Sequence, residues 1–234
     1  MAPQFIKSKV VANKILNNKF RLFRFKILSQ AFNFQPGQFV ILKVAERVYR
    51  DYSITSLPQT LPFWEVLLDV TPQGPGCRYL QNLRPGDIIE TSQPHGVFTI
   101  KDDGATHLVM GATGCGFASI KPIIETTLGK KGVEKIDFLW GLRYQKDITF
   151  QELLGNWQNK HPHFRAEVIL SQPEGQWPHK TGHITKHLGN LAQKLPTPKT
   201  SVYLCGSNQM ITDVRKYFQQ KGLSSVKIYF EKCY

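Results

Sequence analysis

Over residues 1–100 apolar and polar positions alternate in short runs: QFIKSKVVANKIL, FRLFRFKIL, GQFVILKVA, FWEVLLDVT and DIIETSQ. A two-residue period sets one side of a strand on a core and the other in water. Turn signals such as Gln35-Pro36-Gly37 and Arg84-Pro85-Gly86-Asp87 separate the runs. Strands so spaced, with no amphipathic helices between them, predict a small antiparallel barrel or sandwich. One short helix is expected around Cys77–Leu83, directly after Gly74-Pro75-Gly76, and Pro94-His95-Gly96-Val97-Phe98 reads as a turn closing the barrel.

The pattern changes near Lys101-Asp102-Asp103-Gly104. Apolar strand runs now alternate with helical ones: THLVMGA and FASIKPIIETTLGK, KIDFLWGL and TFQELLGNWQNK, FRAEVILSQ and HITKHLGNLAQK, SVYLCGS and NQMITDVRKYFQQKG, then VKIYFEKCY. Repeated β-α-β units with apolar strands predict a parallel sheet with helices on both faces. The chain is therefore read as two domains: an antiparallel β-barrel over residues 1–102, then a Rossmann-like α/β domain over 103–234.

Composition narrows the function classes. With 41% hydrophobic and 20% charged residues the chain is globular rather than disordered. No apolar run approaches the ~20 residues that a membrane helix needs. The N-terminus MAPQFIKSKV lacks a secretory core, so a cytoplasmic protein is expected. Cys77, Cys115, Cys205 and Cys233 stand apart, without zinc or iron–sulfur spacing, and free thiols suit a reducing compartment. The formal net charge of +13 is spread along the chain, with no basic helix and no RNA motif. It fits solubility, or attraction of an acidic protein or anionic cofactor, better than nucleic acid.

Several short stretches carry candidate chemistry. In VYRDYSITSLP, Arg50 and Tyr52 should project from one face of a strand, with Ser53 following. A guanidinium can fork onto a pyrophosphate, a phenol can stack on a conjugated ring, and a hydroxyl can reach a ring nitrogen. Gly111-Ala112-Thr113-Gly114-Cys115-Gly116 follows the first parallel strand and opens a helix. Backbone donors there make an anion site, and a tight strand-to-helix turn would favour the same glycines. Gly74-Pro75-Gly76-Cys77 reads as a second phosphate cradle or as a simple loop. Cys205-Gly206-Ser207-Asn208 ends the fourth parallel strand, where ligands collect. His183 and His187 stand four apart on a helix without carboxylate support, and no Ser-His-Asp or Cys-His arrangement is signalled.

Taken in order, RDYS, GPGCRYLQNLRPGD, PHGVF, GATGCG, the GLR of Gly141–Arg143, CGSNQM and a late Glu231 resemble the ferredoxin-NADP reductase superfamily over essentially the whole chain. The resemblance implies an FAD-binding barrel and an NAD(P)-binding α/β domain. Arg50 would hold the flavin phosphates, Tyr52 would stack on the isoalloxazine, and Ser53 would bond near its N5. Gly74, Gly76 and Cys77 would cradle the pyrophosphate. Gly111, Thr113, Gly114, Arg143, Ser171 and Gly206 would hold the nicotinamide nucleotide, Cys205 and Glu231 would line the nicotinamide pocket, and Tyr234 would lie near the flavin. Ser53, Cys205 and Glu231 are thus the expected catalytic residues. This sequence departs from the family pattern at Cys77, where Ser or Thr is usual, at Ala112 for glycine, at Phe117 for proline, and at Cys233 for an aromatic.

The implied chemistry is hydride transfer from nicotinamide C4 to flavin N5, with the protein holding two cofactors in register. Gln172, after Ser171, cannot pair with a 2′-phosphate, so NADH is expected over NADPH. The flavin is expected to be FAD, with FMN the other possibility, and no iron–sulfur cluster is expected in this chain. The leading reading is the reductase of a multicomponent system, feeding a ferredoxin, flavodoxin or oxygenase component of acidic surface. An NAD(P)H:flavin reductase that releases reduced free flavin is the alternative, and a non-catalytic docking subunit of the same fold is the reading from another class.

Overall fold

The computed structural model describes residues 5–28 and 32–233. The chain resolves into two compact units, Met1–Ile100 with Lys121–Glu125, and Lys101–Ile120 with Thr126–Tyr234.

The first unit is built on strands β1 (Ile6–Ile15), β2 (Phe20–Ile27), β3 (Phe39–Ala45), β4 (Val48–Ser53), β5 (Phe63–Asp69) and β6 (Ile88–Thr91). They form a six-stranded sheet in the order β4-β3-β6-β1-β2-β5, and every pairing is antiparallel. The ends of that order meet. Ile54, just past β4, bridges Val66 of β5, and the Thr55 amide donates to the Glu65 carbonyl at 2.9 Å. This seam closes the barrel. In the Pro94–Phe98 turn, His95 pairs with Phe39 and carries the β3–β6 pairing past the end of β6.

The predicted alternation is visible in the burial of β1, whose Ile6, Ser8 and Val10 are inside while Lys7, Lys9 and Val11 face out. A register shift between Val10 and Ala12 then ends the strict period, as a bulge does. Phe23, Phe25, Trp64, Val66, Leu80 and Ile89 fill the interior. The Trp64 indole donates to Ser8 Oγ at 3.2 Å, so the polar atom of the largest core side chain is satisfied.

Helix α1 (Pro75–Asn82) begins with Gly74 as extended N-cap and Pro75 in the first turn. Proline suits that position because its fixed φ is already helical and its missing N–H would be unpaired there. The helix ends at Leu83, which is extended ahead of Arg84-Pro85.

The second unit runs β7 (His107–Thr113), α2 (Phe117–Thr127), β8 (Lys135–Leu142), α3 (Gln151–Lys160), β9 (Phe164–Leu170), α4 (Ile184–Ala192), β10 (Thr200–Gly206), α5 (Asn208–Gln220) and β11 (Ile228–Lys232). Its five strands are all parallel, in the order β11-β10-β7-β8-β9. The central strands are buried almost throughout, while β9 and β11 alternate as sheet edges do. Counted from β7, this is the doubly wound order in which the chain reverses direction between β7 and β10. An antiparallel barrel followed by a Rossmann-like sheet is the architecture expected from the alternation and the β-α-β texture.

The segment entering this sheet is tied down at once. Asp103 accepts hydrogen bonds from Ser201 Oγ of β10 and from Tyr229 Oη of β11. The Lys101 amide donates to Tyr203 Oη at 3.0 Å. Phe117, the departure from proline, is fully buried and stacks 4.6 Å from Trp140. A core ring has taken the place of a turn residue there.

Candidate active site

In the barrel, β4 pairs with β3 so that Arg50 lies opposite Leu42, Tyr52 opposite Val40 and Ser53 opposite Phe39. The two-residue period puts Arg50 and Tyr52 on one face, and both converge on α1. A Cβ added to Gly76 would come within 2.3 Å of Tyr52 Oη and 2.9 Å of Arg50 Cγ. Only glycine lets these two side chains lie against the first turn of the helix. Arg50 is exposed, with one guanidinium nitrogen donating to the Tyr49 carbonyl at 2.7 Å. Tyr52 is half-buried against the barrel core. Gly74 has open space around its Cβ position. The result is a basic, aromatic face beside a helix N-terminus, whose N–H groups and dipole favour an anion.

Two expected members of this group sit differently. Ser53 is half-buried on the alternate position of β4, where the strand period faces it away from Tyr52. Cys77 is buried, its thiol donating to the Val70 carbonyl at 3.3 Å and accepting from Gln81 Nε2 at 2.9 Å. Its side chain therefore serves the barrel wall, so that any ligand contact at 77 falls to the backbone amide.

In the sheet unit the loops after β7 and β10 are interlocked. The Ser207 amide donates to Thr113 Oγ1 at 3.0 Å. A Cβ on Gly206, whose φ is +148, would lie 2.0 Å from the same oxygen. A Cβ on Gly116 would lie 2.2 Å from the Cys205 carbonyl oxygen. Gly114, at φ +51, has open space around its Cβ position, and its carbonyl accepts from Trp140 Nε1 at 3.0 Å. These loops flank the point where strand order reverses, the place where open α/β sheets bind ligands. Gly111 belongs elsewhere. Its Cβ position is 2.8 Å from Leu188 of α4 and 3.0 Å from Leu204, so this glycine admits a helix to the sheet.

Further along the same sheet edge, Arg143 Nε donates to Gln172 Oε1 at 2.9 Å. The Gln172 amide donates to the Arg143 carbonyl at 2.9 Å, and the Ser171 amide to the Leu142 carbonyl at 3.0 Å. The guanidinium at 143 and the amide at 172 are thus one exposed unit.

Cys205 and Glu231 face each other in the β10–β11 register, and Ser119 joins them. Ser119 Oγ donates to Glu231 Oε2 at 2.8 Å, and the buried Cys205 sulfur lies 3.5 Å from Ser119 Oγ. Cys233 Sγ is 3.4 Å from Cys205 Sγ, and its amide donates to the Gly206 carbonyl at 3.0 Å. The hydrogen bond to Cys233, followed by burial, pushes the Cys205 thiol well above its ordinary range. The same hydrogen bond lowers Cys233. Sequence reading missed Ser119, a small polar residue in an apolar helix face, and missed the partnership of the two cysteines. Tyr234 lies outside the described residues.

His183 occupies the N-cap position of α4 without a side-chain capping bond, and His187 Nε2 is bonded to the Thr181 carbonyl at 2.9 Å. Among the described residues no group of His, Cys, Asp or Glu is placed to hold a metal ion. No helix among them is long and apolar enough to cross a membrane.

Two domain profiles match in tandem: an oxidoreductase FAD-binding domain over residues 7–100 and an oxidoreductase NAD-binding domain over residues 110–216. Ferredoxin--NADP reductase B of Sorangium cellulosum is 28% identical over 194 residues, 80% of this chain and 80% of that protein. The terephthalate 1,2-dioxygenase reductase component 1 of Comamonas is 23% identical over 222 residues, covering 92% of this chain and 64% of that protein. A ferredoxin NADP+ reductase from Neisseria gonorrhoeae, solved with FAD and NADP, shares the fold with a TM-score of 0.87 at 20% identity, over 98% of this chain and 99% of that one. With both profiles in order on a barrel and a doubly wound sheet, the chain belongs to the ferredoxin-NADP reductase-like superfamily and is an NAD(P)H-dependent flavoprotein reductase.

Proposed function

We propose that this protein is the reductase of a multicomponent electron-transfer system, taking hydride from NADH and passing electrons from a resident FAD to a separate acidic redox protein. The observation that carries the reading is the convergence of Arg50 and Tyr52 on Gly76 at the start of α1. A reductase that merely turns over free flavin needs a ring-binding surface. A guanidinium and a helix N-terminus beside that surface supply a place for a diphosphate as well, which suits a dinucleotide that stays bound.

When bound, FAD supplies a ring that accepts hydride and gives up electrons singly or in pairs. The chain's own residues bind and orient. Arg50 would hold phosphate, Tyr52 would stack on the ring, and the amides at Gly76 and Cys77 would face the diphosphate. The Thr113–Gly114 loop and Gly206 hold the nucleotide's phosphates, with Ser171 and Arg143 toward its adenosine end. Cys205 and Glu231 line the nicotinamide side, where the Glu231 carboxylate accepts from the carboxamide. Neutral Gln172, bonded to Arg143, favours NADH. The net charge of +13 steers an acidic acceptor, and the four free thiols suit a cytoplasmic, reducing setting.

The deciding experiment is an absorbance spectrum of the purified protein after dialysis, before and after anaerobic NADH. A retained flavin that bleaches supports the proposal. A colourless protein that oxidises NADH only with added flavin supports the free-flavin reductase instead. Loss of retained flavin in Arg50→Ala, with unchanged far-ultraviolet circular dichroism, tests the carrying observation without relying on turnover.

A further inference from the structure

Two of the four cysteines are brought together by strand register alone. Cys205 ends β10, fully buried, and Cys233 follows β11, exposed at the sheet edge. Parallel pairing of Gly206 with Lys232 and the Cys233 amide on the Gly206 carbonyl hold the two backbones side by side. The sulfurs lie 3.4 Å apart, so they must close by roughly 1.4 Å to reach a bond of about 2.05 Å. Cys77 belongs to the barrel unit and is bonded to the Val70 carbonyl, and Cys115 is half-buried.

We propose that Cys205 and Cys233 are a peroxide-reactive dithiol, with Cys233 the attacking sulfur and Cys205 the resolving one, closing to an intramolecular disulfide. The division of labour follows exposure and acidity. An attacking thiol needs access and thiolate character; Cys233 is exposed and its ionisation is favoured by the hydrogen bond from Cys205. Cys205 keeps its proton and has no exposed surface, so it meets an oxidant only through its neighbour.

The chemistry balances with a hydroperoxide as oxidant. The Cys233 thiolate attacks a peroxide oxygen, the O–O bond breaks, and the alkoxide or hydroxide leaves with a proton from solvent. Cys233 is then a sulfenic acid. The Cys205 sulfur attacks it, the S–S bond forms as the S–O bond breaks, and water departs with the Cys205 proton. Two thiols have given two electrons and two protons to the hydroperoxide. The pair is defined by the fold of the sheet unit, so it stands or falls apart from the proposed electron-transfer role.

The test treats the reduced full-length protein with graded hydrogen peroxide, blocks remaining thiols by alkylation after unfolding, and maps the peptides by mass. The titratable thiols should fall from four to two, with one Cys205–Cys233 linkage that dithiothreitol reverses. Cys77→Ala/Cys115→Ala should keep that linkage. In Cys233→Ser, Cys205 should remain a thiol at the same dose. Oxygen addition at Cys233 with the Cys205 thiol intact in the wild type would overturn the proposal. So would a linkage to Cys77 or Cys115, or loss of the Cys205 thiol in Cys233→Ser at the wild-type rate.

Discussion

The Tyr52 hydroxyl stands so close to Gly76 that a methyl group on that residue would reach within 2.3 Å of the oxygen, with Arg50 Cγ at 2.9 Å. Both obstructing atoms belong to side chains, which can swing away, so Gly76→Ala should fold at a cost of about 1–2 kcal/mol. Displacing the phenol and the arginine is the real damage. Flavin retention should weaken by about tenfold to a hundredfold, about 1.4–2.7 kcal/mol. Gly76→Ala/Tyr52→Phe removes the clashing oxygen and should recover part of the loss. Fluorescence titration of deflavinated protein with FAD measures each step.

Gly116 faces a harder obstacle, because the atom 2.2 Å from its Cβ position is the backbone carbonyl oxygen of Cys205. Gly116→Ala should destabilise the sheet unit by about 3 kcal/mol. Gly74→Ala, with nothing within 4 Å of its Cβ position, should stay within about 1 kcal/mol of wild type. Urea unfolding followed by tryptophan fluorescence compares them.

Nucleotide choice should respond at residues 143 and 172. Gln172→Arg adds a second guanidinium beside Arg143 and should raise the NADPH-to-NADH ratio of kcat/KM by about tenfold or more, since a charged pair is worth ~1.4 kcal/mol or above. Arg143→Ala should cut whatever NADPH turnover the wild type has and affect NADH less. Paired steady-state kinetics with both donors decides the matter.

Acid should loosen the sheet unit through Asp103. Burial alone would raise its pKa, but hydrogen bonds from Ser201, Tyr229 and the Ala105 amide outweigh it and hold the carboxyl below the ordinary value of 3.8. A depressed native pKa means that the stabilisation is in full force above the unfolded value and is lost as pH falls through the native one. Burial, and then the bond to Asp103, push the Tyr229 hydroxyl up to about 12, so that donor persists through neutral pH. Asp103→Asn should be less stable at pH 7 and show a flatter decline below the ordinary aspartate pKa, as measured by urea midpoints across the acid range.

The strands and the doubly wound half were legible because their periods differ: alternation in β1 and β2, unbroken apolar runs in β7, β8 and β10. Turn chemistry marked α1 in advance, since Gly74-Pro75-Gly76 is a helix start as well as a loop. What could not be read was which elements become neighbours. Cys233 meets Cys205 through the order of parallel strands, and the Ile54–Val66 seam follows from closure of the ring; neither leaves a local signature. Gly111 is ambiguous for a related reason. A glycine in a ligand loop and a glycine beneath a packed helix look alike until Leu188 and Leu204 are seen against it.

The barrel seam has a consequence for how the protein matures. Arg50, Tyr52 and Ser53 are the residues immediately before Ile54, which bridges to Val66. The strand end proposed to meet the cofactor also fastens the last gap in the ring. A molecule gripping that strand acts as a clasp, and its binding energy adds to the folded state by mass action. On the proposed binding mode, newly made chains should be most vulnerable to proteolysis at this junction until the flavin arrives, and cofactor supply would become a quality-control step for the whole barrel.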